Sequence, residues 1–86
     1  MTTLYMIVCR KEFHIYIGIT DDYPHRMQKQ KEGNGSQFVK RYGFRRSYKI
    51  KEFLNREDAV KEESHLTFNL RKMSRFTVNG AGYTRD

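Results

Sequence analysis

The chain has 86 residues, with 17 lysines and arginines against 10 aspartates and glutamates, a net charge of +7 and a sequence pI near 9.8. That length holds one domain spanning residues 1–86 and leaves no room for a large independent substrate domain. The longest apolar run, residues 6–9, is too short for a bilayer span or a signal-peptide core, which points to a soluble, uncleaved chain with no membrane partner.

Cys9 is the only cysteine, so no internal disulfide can form, and His14, His25 and His65 are too dispersed for a zinc site. A reducing compartment, the cytoplasm, is expected. The basic excess favours a polyanionic partner, nucleic acid rather than anionic membrane, because no basic helix carries a large apolar face.

Residues 3–9 and 13–19 read as two strands rich in Ile, Tyr, Phe and Val around the polar Arg10-Lys11-Glu12. A hairpin turning between Arg10 and Lys11 pairs Met6 with Ile15, Leu4 with Ile17, Val8 with Phe13 and Tyr5 with Tyr16. One face is then wholly apolar. The other carries Tyr5, Ile7, His14 and Tyr16, with Gly18 at the strand end, and reads as a working surface more than a sealed core.

Thr20, Asp21 and Asp22 before Pro24 start a helix that runs to about Glu32 and places Arg26 and Gln30 on one face. Gly33-Asn34-Gly35 ends it as a turn. Ser36 starts a shorter helix through Tyr42, stopped at Gly43. Residues 46–53 form a third strand. Between Glu32 and Glu52 there is no acid, while Lys40, Arg41, Arg45, Arg46, Lys49 and Lys51 interleave with Phe38, Tyr42, Phe44 and Tyr48. Such interleaving suits phosphate contact beside packing on sugars or bases, and these six cations are the candidate DNA-binding residues. Arg71, Lys72, Arg75 and Arg85 can add to the same field.

A helix over about 56–71 has Glu57 and Asp58 in its first turn and Arg71 and Lys72 at its end, as its dipole prefers. Ala59, Leu66 and Leu70 form its apolar stripe, with Val60 and Thr67 on the edge, and Glu63 falls inside the stripe. A carboxylate there needs a partner, either an ion pair or a metal. These elements define an α/β (α+β) fold: a small three-stranded antiparallel sheet flanked by helices, with a loose tail from about residue 74.

Tyr5, then Tyr16-Ile17-Gly18, then Arg26, then a glutamate in a late helix form an ordered set that resembles the GIY-YIG nuclease family. The first motif appears as Thr3-Leu4-Tyr5 and keeps only its tyrosine. The second is intact and leads into Ile19-Thr20-Asp21-Asp22. The similarity continues through Gln37-Phe38-Val39-Lys40-Arg41-Tyr42-Gly43 and the stretch from Asn55 to Glu63, and covers about residues 3–80.

The resemblance implies that Tyr5 acts as general base or relay beside the attacking water, with Tyr16 next to it. It implies that Arg26 neutralises charge on the phosphate and that Glu63 holds one divalent cation, Mg²⁺ or Mn²⁺. Tyrosine is a poor base at its ordinary pKa, so neighbouring cations must favour its phenolate. The place often held by a histidine four residues after the arginine is Gln30, which can orient water and cannot take its proton. His25 and His14 are substitutes to weigh for that role, and Asn79 is the nearest match to a late phosphate-contacting asparagine, with Asn69 also available.

The expected activity is a metal-dependent DNA endonuclease or nickase acting on double-stranded DNA in a bacterial or phage-infected cell. The alternatives are a catalytically inactive DNA-binding relative and a small RNA-binding basic protein. A monomer would nick one strand, and a homodimer could cut both; the sequence leaves both open.

Overall fold

A computed structural model describes residues 1–72 and 75–80. Its elements run β1 (Thr2–Cys9), β2 (His14–Thr20), α1 (Tyr23–Lys31), α2 (Gln37–Tyr42), β3 (Phe44–Phe53), α3 (Arg56–Lys72) and β4 (Thr77–Gly80). The expected helices and first three strands are all present, with β3 beginning two residues earlier than expected. The sheet has four strands in the order β3-β1-β2-β4 and is mixed, because β4 lies parallel to β2. Part of the expected tail therefore belongs to the sheet, while Arg85 and residues 81–82 lie outside the described residues.

Local chemistry sets the element ends. The Asp22 side chain accepts from the His25 amide at 3.3 Å at the start of α1, and Ser36 Oγ accepts from the Phe38 and Val39 amides at 3.0 and 3.3 Å at the start of α2. Gly43, at φ 84°, ends α2 in a conformation that disfavours a side chain. Arg71 Nε donates to the Val78 carbonyl at 2.7 Å and ties the end of α3 to β4.

The β1–β2 register differs from expectation by two residues. Met6 pairs with Ile17, Tyr5 with Gly18, Ile7 with Tyr16 and Val8 with Ile15. The amides of Arg10 and Lys11 donate to the carbonyls of Gly43 and Tyr42, each at 3.1 Å, which carries the chain further before it turns. The reversal comes at Glu12 and Phe13, with Phe13 at φ 61° and the His14 amide reaching the Lys11 carbonyl at 3.3 Å. A slip of two residues preserves every side chain's face, so the division into two faces stands.

Both faces are covered, which corrects the expected working surface. On one, α3 packs Ala59 against Leu4, Ile15, Ile17, Phe53 and Val78, with Leu66 and Leu70 at the margin. On the other, Met27 of α1 and Val39 of α2 enclose Tyr5, Ile7 and Tyr16. The tyrosine face is thus a second core, and Tyr5 is only 1% exposed. No helix among the described residues is long and apolar enough to cross a membrane.

Ile17 sits in a central strand and is fully buried. Ile17→Ala is expected to cost about 2–5 kcal/mol in a urea titration, against ~0.5 kcal/mol or less for Leu54→Ala at an exposed position.

Candidate active site

The antiparallel pairing of Tyr5 with Gly18 builds the centre of the site. A Cβ on Gly18 would lie 2.5 Å from the Tyr5 hydroxyl oxygen and 3.0 Å from Cε2 of Tyr16. The glycine of Tyr16-Ile17-Gly18 therefore leaves the volume that the Tyr5 phenol fills. The two rings stand 6.3 Å apart, and Tyr23, from the first turn of α1, closes edge-on against Tyr5 at 6.1 Å. Tyr23 in turn hydrogen-bonds Ser47 on β3 at 2.6 Å. Its role was not read from the sequence; its place beside Pro24 at the helix start was the available signal.

Arg26 and Gln30, one turn apart on α1, both reach this centre. Gln30 is 1% exposed; its Nε2 donates to the Tyr5 hydroxyl at 3.2 Å, and its Oε1 accepts from the Ser36 amide at 2.9 Å. Gly35 leaves room for that amide, since a Cβ there would collide with Gln30 Oε1. The Gly33-Asn34-Gly35 segment is thus more than a turn. The Arg26 guanidinium hydrogen-bonds both Tyr5 and Tyr16; burial works against its charge, but these bonds outweigh that and hold its pKa above the ordinary value.

Tyr16 is pushed up to about 12, chiefly by burial and further by Tyr5 and by the negative charge of Glu63, against the opposing pull of Arg26 and of a hydrogen bond to Ser36. It keeps its proton at neutral pH and acts as a donor.

Glu63 arrives from α3, on the other side of the sheet, and is buried in the stripe where the helical period puts it. Its Oε2 and the Thr67 hydroxyl crowd Gly80, where a Cβ would sit 2.9 and 2.5 Å from them. Asn79, the residue before, is in register with Tyr16 across the β2–β4 pair. Among the described residues, the Thr67 hydroxyl oxygen and Asn79 Oδ1 are buried without a hydrogen-bond partner. The described residues contain no cluster of three His, Cys, Asp or Glu side chains, so a cation beside Glu63 would take at most two such ligands from them and otherwise neutral oxygens. That donor set suits a hard ion such as Mg²⁺, which commonly keeps several waters and takes one or two carboxylates.

The remaining candidates are spread more widely. His25 is exposed, and its backbone amide serves the α1 cap. His14 lies on the tyrosine face, its ring 4.2 Å from that of Tyr42 and its Nδ1 2.8 Å from the Glu12 carbonyl. Lys40 and Arg41 lie on α2. Lys49, opposite Tyr5, stands 5.2 Å from the Tyr23 ring and pairs with Glu52 at 3.9 Å. Arg46 and Lys51 stand opposite Val8 and Leu4, on the α3 side of the sheet, so the basic stretch divides between both faces. Arg45 falls where the β1–β3 register shifts.

The fold is a compact α+β domain with tyrosines on two neighbouring strands, an arginine on α1 and a buried glutamate on α3. The family profile described as the GIY-YIG catalytic domain matches residues 1–77, and the chain belongs to that nuclease family. It is 27% identical over 73 residues to UPF0213 protein OB0043 of Oceanobacillus iheyensis, an overlap of 85% of this chain and 79% of that protein. No solved structure matches it.

Two outcomes test the site's chemistry. Because Tyr16 ordinarily titrates near 10.0 and is raised to about 12 here, its contribution to stability is intact below pH 10 and is lost as pH rises towards 12. Cys9, pushed up to about 11 by burial, adds its own fall to wild type and variant alike. Tyr16→Phe should flatten the alkaline part of a stability–pH curve, and an unchanged curve would contradict the assignment. Gln30→Ala should cost about 1–3 kcal/mol in chemical denaturation, since it strips a partner from the buried Tyr5 hydroxyl and from the Ser36 amide.

Proposed function

We propose that the protein is a Mg²⁺-dependent DNA endonuclease that nicks one strand per active site. The observation that carries this reading is the hydrogen-bonded cluster of Tyr5, Tyr16 and Arg26, with the charge of Glu63 felt at Tyr16. The net charge of +7 supports a polyanionic substrate.

In hydrolysis, water attacks the phosphorus and the bond to the leaving oxygen breaks while negative charge builds on the phosphate. Arg26 meets that charge with a guanidinium already fixed by two phenols, so little reorganisation accompanies the reaction. Tyr16, protonated at neutral pH, donates a hydrogen bond to a phosphate oxygen. Gln30 and Arg26 both donate to the Tyr5 oxygen, which fixes the phenol beside the attacking water and directs its own proton into the site. As one of these bonds gives way, Tyr5 takes the proton released by the water while its own hydroxyl proton passes to a phosphate oxygen, a task that Gln30 cannot perform. Glu63, with the buried Thr67 hydroxyl beside it at Gly80, would hold the cation. When bound, that ion polarises the scissile phosphate and stabilises the leaving oxygen.

Supercoiled plasmid incubated with Mg²⁺ should yield open circles, and EDTA should abolish them. Glu63→Gln should lower the nicking rate ~100-fold or more while leaving DNA binding in EDTA within about threefold of wild type. Cleavage by Glu63→Gln at the wild-type rate would remove Glu63 from the mechanism. Arg26→Ala should lose a comparable factor, measured in the same assay.

A further inference from the structure

Beside the tyrosine cluster, the end of β1, the C-terminal half of α1 and the α2–β3 junction border an open-mouthed cavity of about 460 Å³. Four cations line it, Arg10, Lys31, Lys40 and Arg45, with Glu32 as the one carboxylate. Glu32 is engaged elsewhere, its two oxygens accepting from Gln28 Nε2 at 2.8 Å and Asn34 Nδ2 at 3.5 Å. None of the four cations is in a salt bridge among the described residues.

All four cations are exposed, and two of them are held in place. Arg10 Nε donates to the Phe44 carbonyl at 3.3 Å, and its stem fills the space beside Gly43, where a Cβ would approach within 3.0 Å. The Lys31 ammonium stands 5.5 Å from the centre of the Phe44 ring. Like charges gathered around one cavity repel, and an anion seated among them relieves that repulsion. Gln30, whose amide holds the Tyr5 hydroxyl, lines the same cavity and links it to the candidate active site.

Lys31 lies five residues beyond Arg26 on α1. At ~1.5 Å per residue that is about 7.5 Å along the helix axis, so one strand's backbone can pass from Arg26 to the cavity. We propose that this cavity is a phosphate subsite that grips the phosphodiester backbone of the bound strand beside the scissile position. The proposal rests on the nuclease reading and adds Arg10 and Lys31, outside the basic 38–51 stretch, to the substrate contacts.

The test is the salt dependence of duplex DNA binding in EDTA, where no strand is cut. Lys31→Ala/Arg45→Ala removes two exposed cations without touching the core, and Arg56→Ala/Lys61→Ala removes two on α3 as a control; melting curves verify that each variant is folded. Each phosphate contact contributes about 0.9 to the slope of log K against log salt. The cavity variant should lose about 2 from that slope and bind ~10-fold or more weakly at 0.1 M salt, while the control keeps the wild-type slope. If wild type binds with a steep slope and the cavity variant matches it, the subsite is overturned and the DNA-nuclease reading stands. If wild type shows no salt-dependent binding, both fail. Inorganic phosphate is added at constant ionic strength as a further arm. Its binding to wild type and not to the cavity variant, with the DNA slopes equal, would assign the cavity to free phosphate and overturn the proposal.

Discussion

The site depends on one steric constraint: the Tyr5 phenol occupies the volume that a side chain on Gly18 would need. Cross-strand pairing sets the two residues opposite each other, so the hairpin register and the position of the phenol are one fact. With the ring seated, its hydroxyl is reached by Gln30 and Arg26 from consecutive turns of α1, and Tyr23 closes the flank. A larger residue at position 18 would displace the phenol, and with it the partner that orients both side chains.

The same economy links the two faces of the sheet. Gly80 at the β4 edge leaves space for Glu63 and Thr67 of α3, much as Gly18 does for Tyr5. The carboxylate therefore lies close enough to Tyr16 for its charge to help hold the phenolic proton, although the two residues belong to opposite layers. The buried Thr67 hydroxyl lies on the Glu63 side of Gly80, while Asn79, in register with Tyr16, faces the tyrosine side of the sheet.

Much of this was legible in the chain because it followed from local rules. Helix caps at Asp22 and Ser36, the stop at Gly43 and the stranded Glu63 all follow from residue type and a helical period. The hairpin register was not, because it depends on Arg10 and Lys11 bonding to a segment more than thirty residues away in sequence. β4 was missed for a related reason: four residues carry too little periodicity, and its pairing with β2 requires the long crossover through α3. The packing of Gln30 against Gly35 was hidden as well, since a glutamine reads as a surface residue until the tertiary fold buries it. The basic stretch was visible as a run of charge, but strand alternation divides it between the two faces of β3.

Tyr5→Phe tests the central claim most directly, because it removes one oxygen and keeps the ring that fills the Gly18 gap. The rate of Mg²⁺-dependent plasmid nicking should be measured alongside a melting curve. The account predicts a folded protein whose nicking rate falls ~100-fold or more, in line with the loss of a general base or proton relay. A folded Tyr5→Phe protein that nicks at the wild-type rate would contradict it.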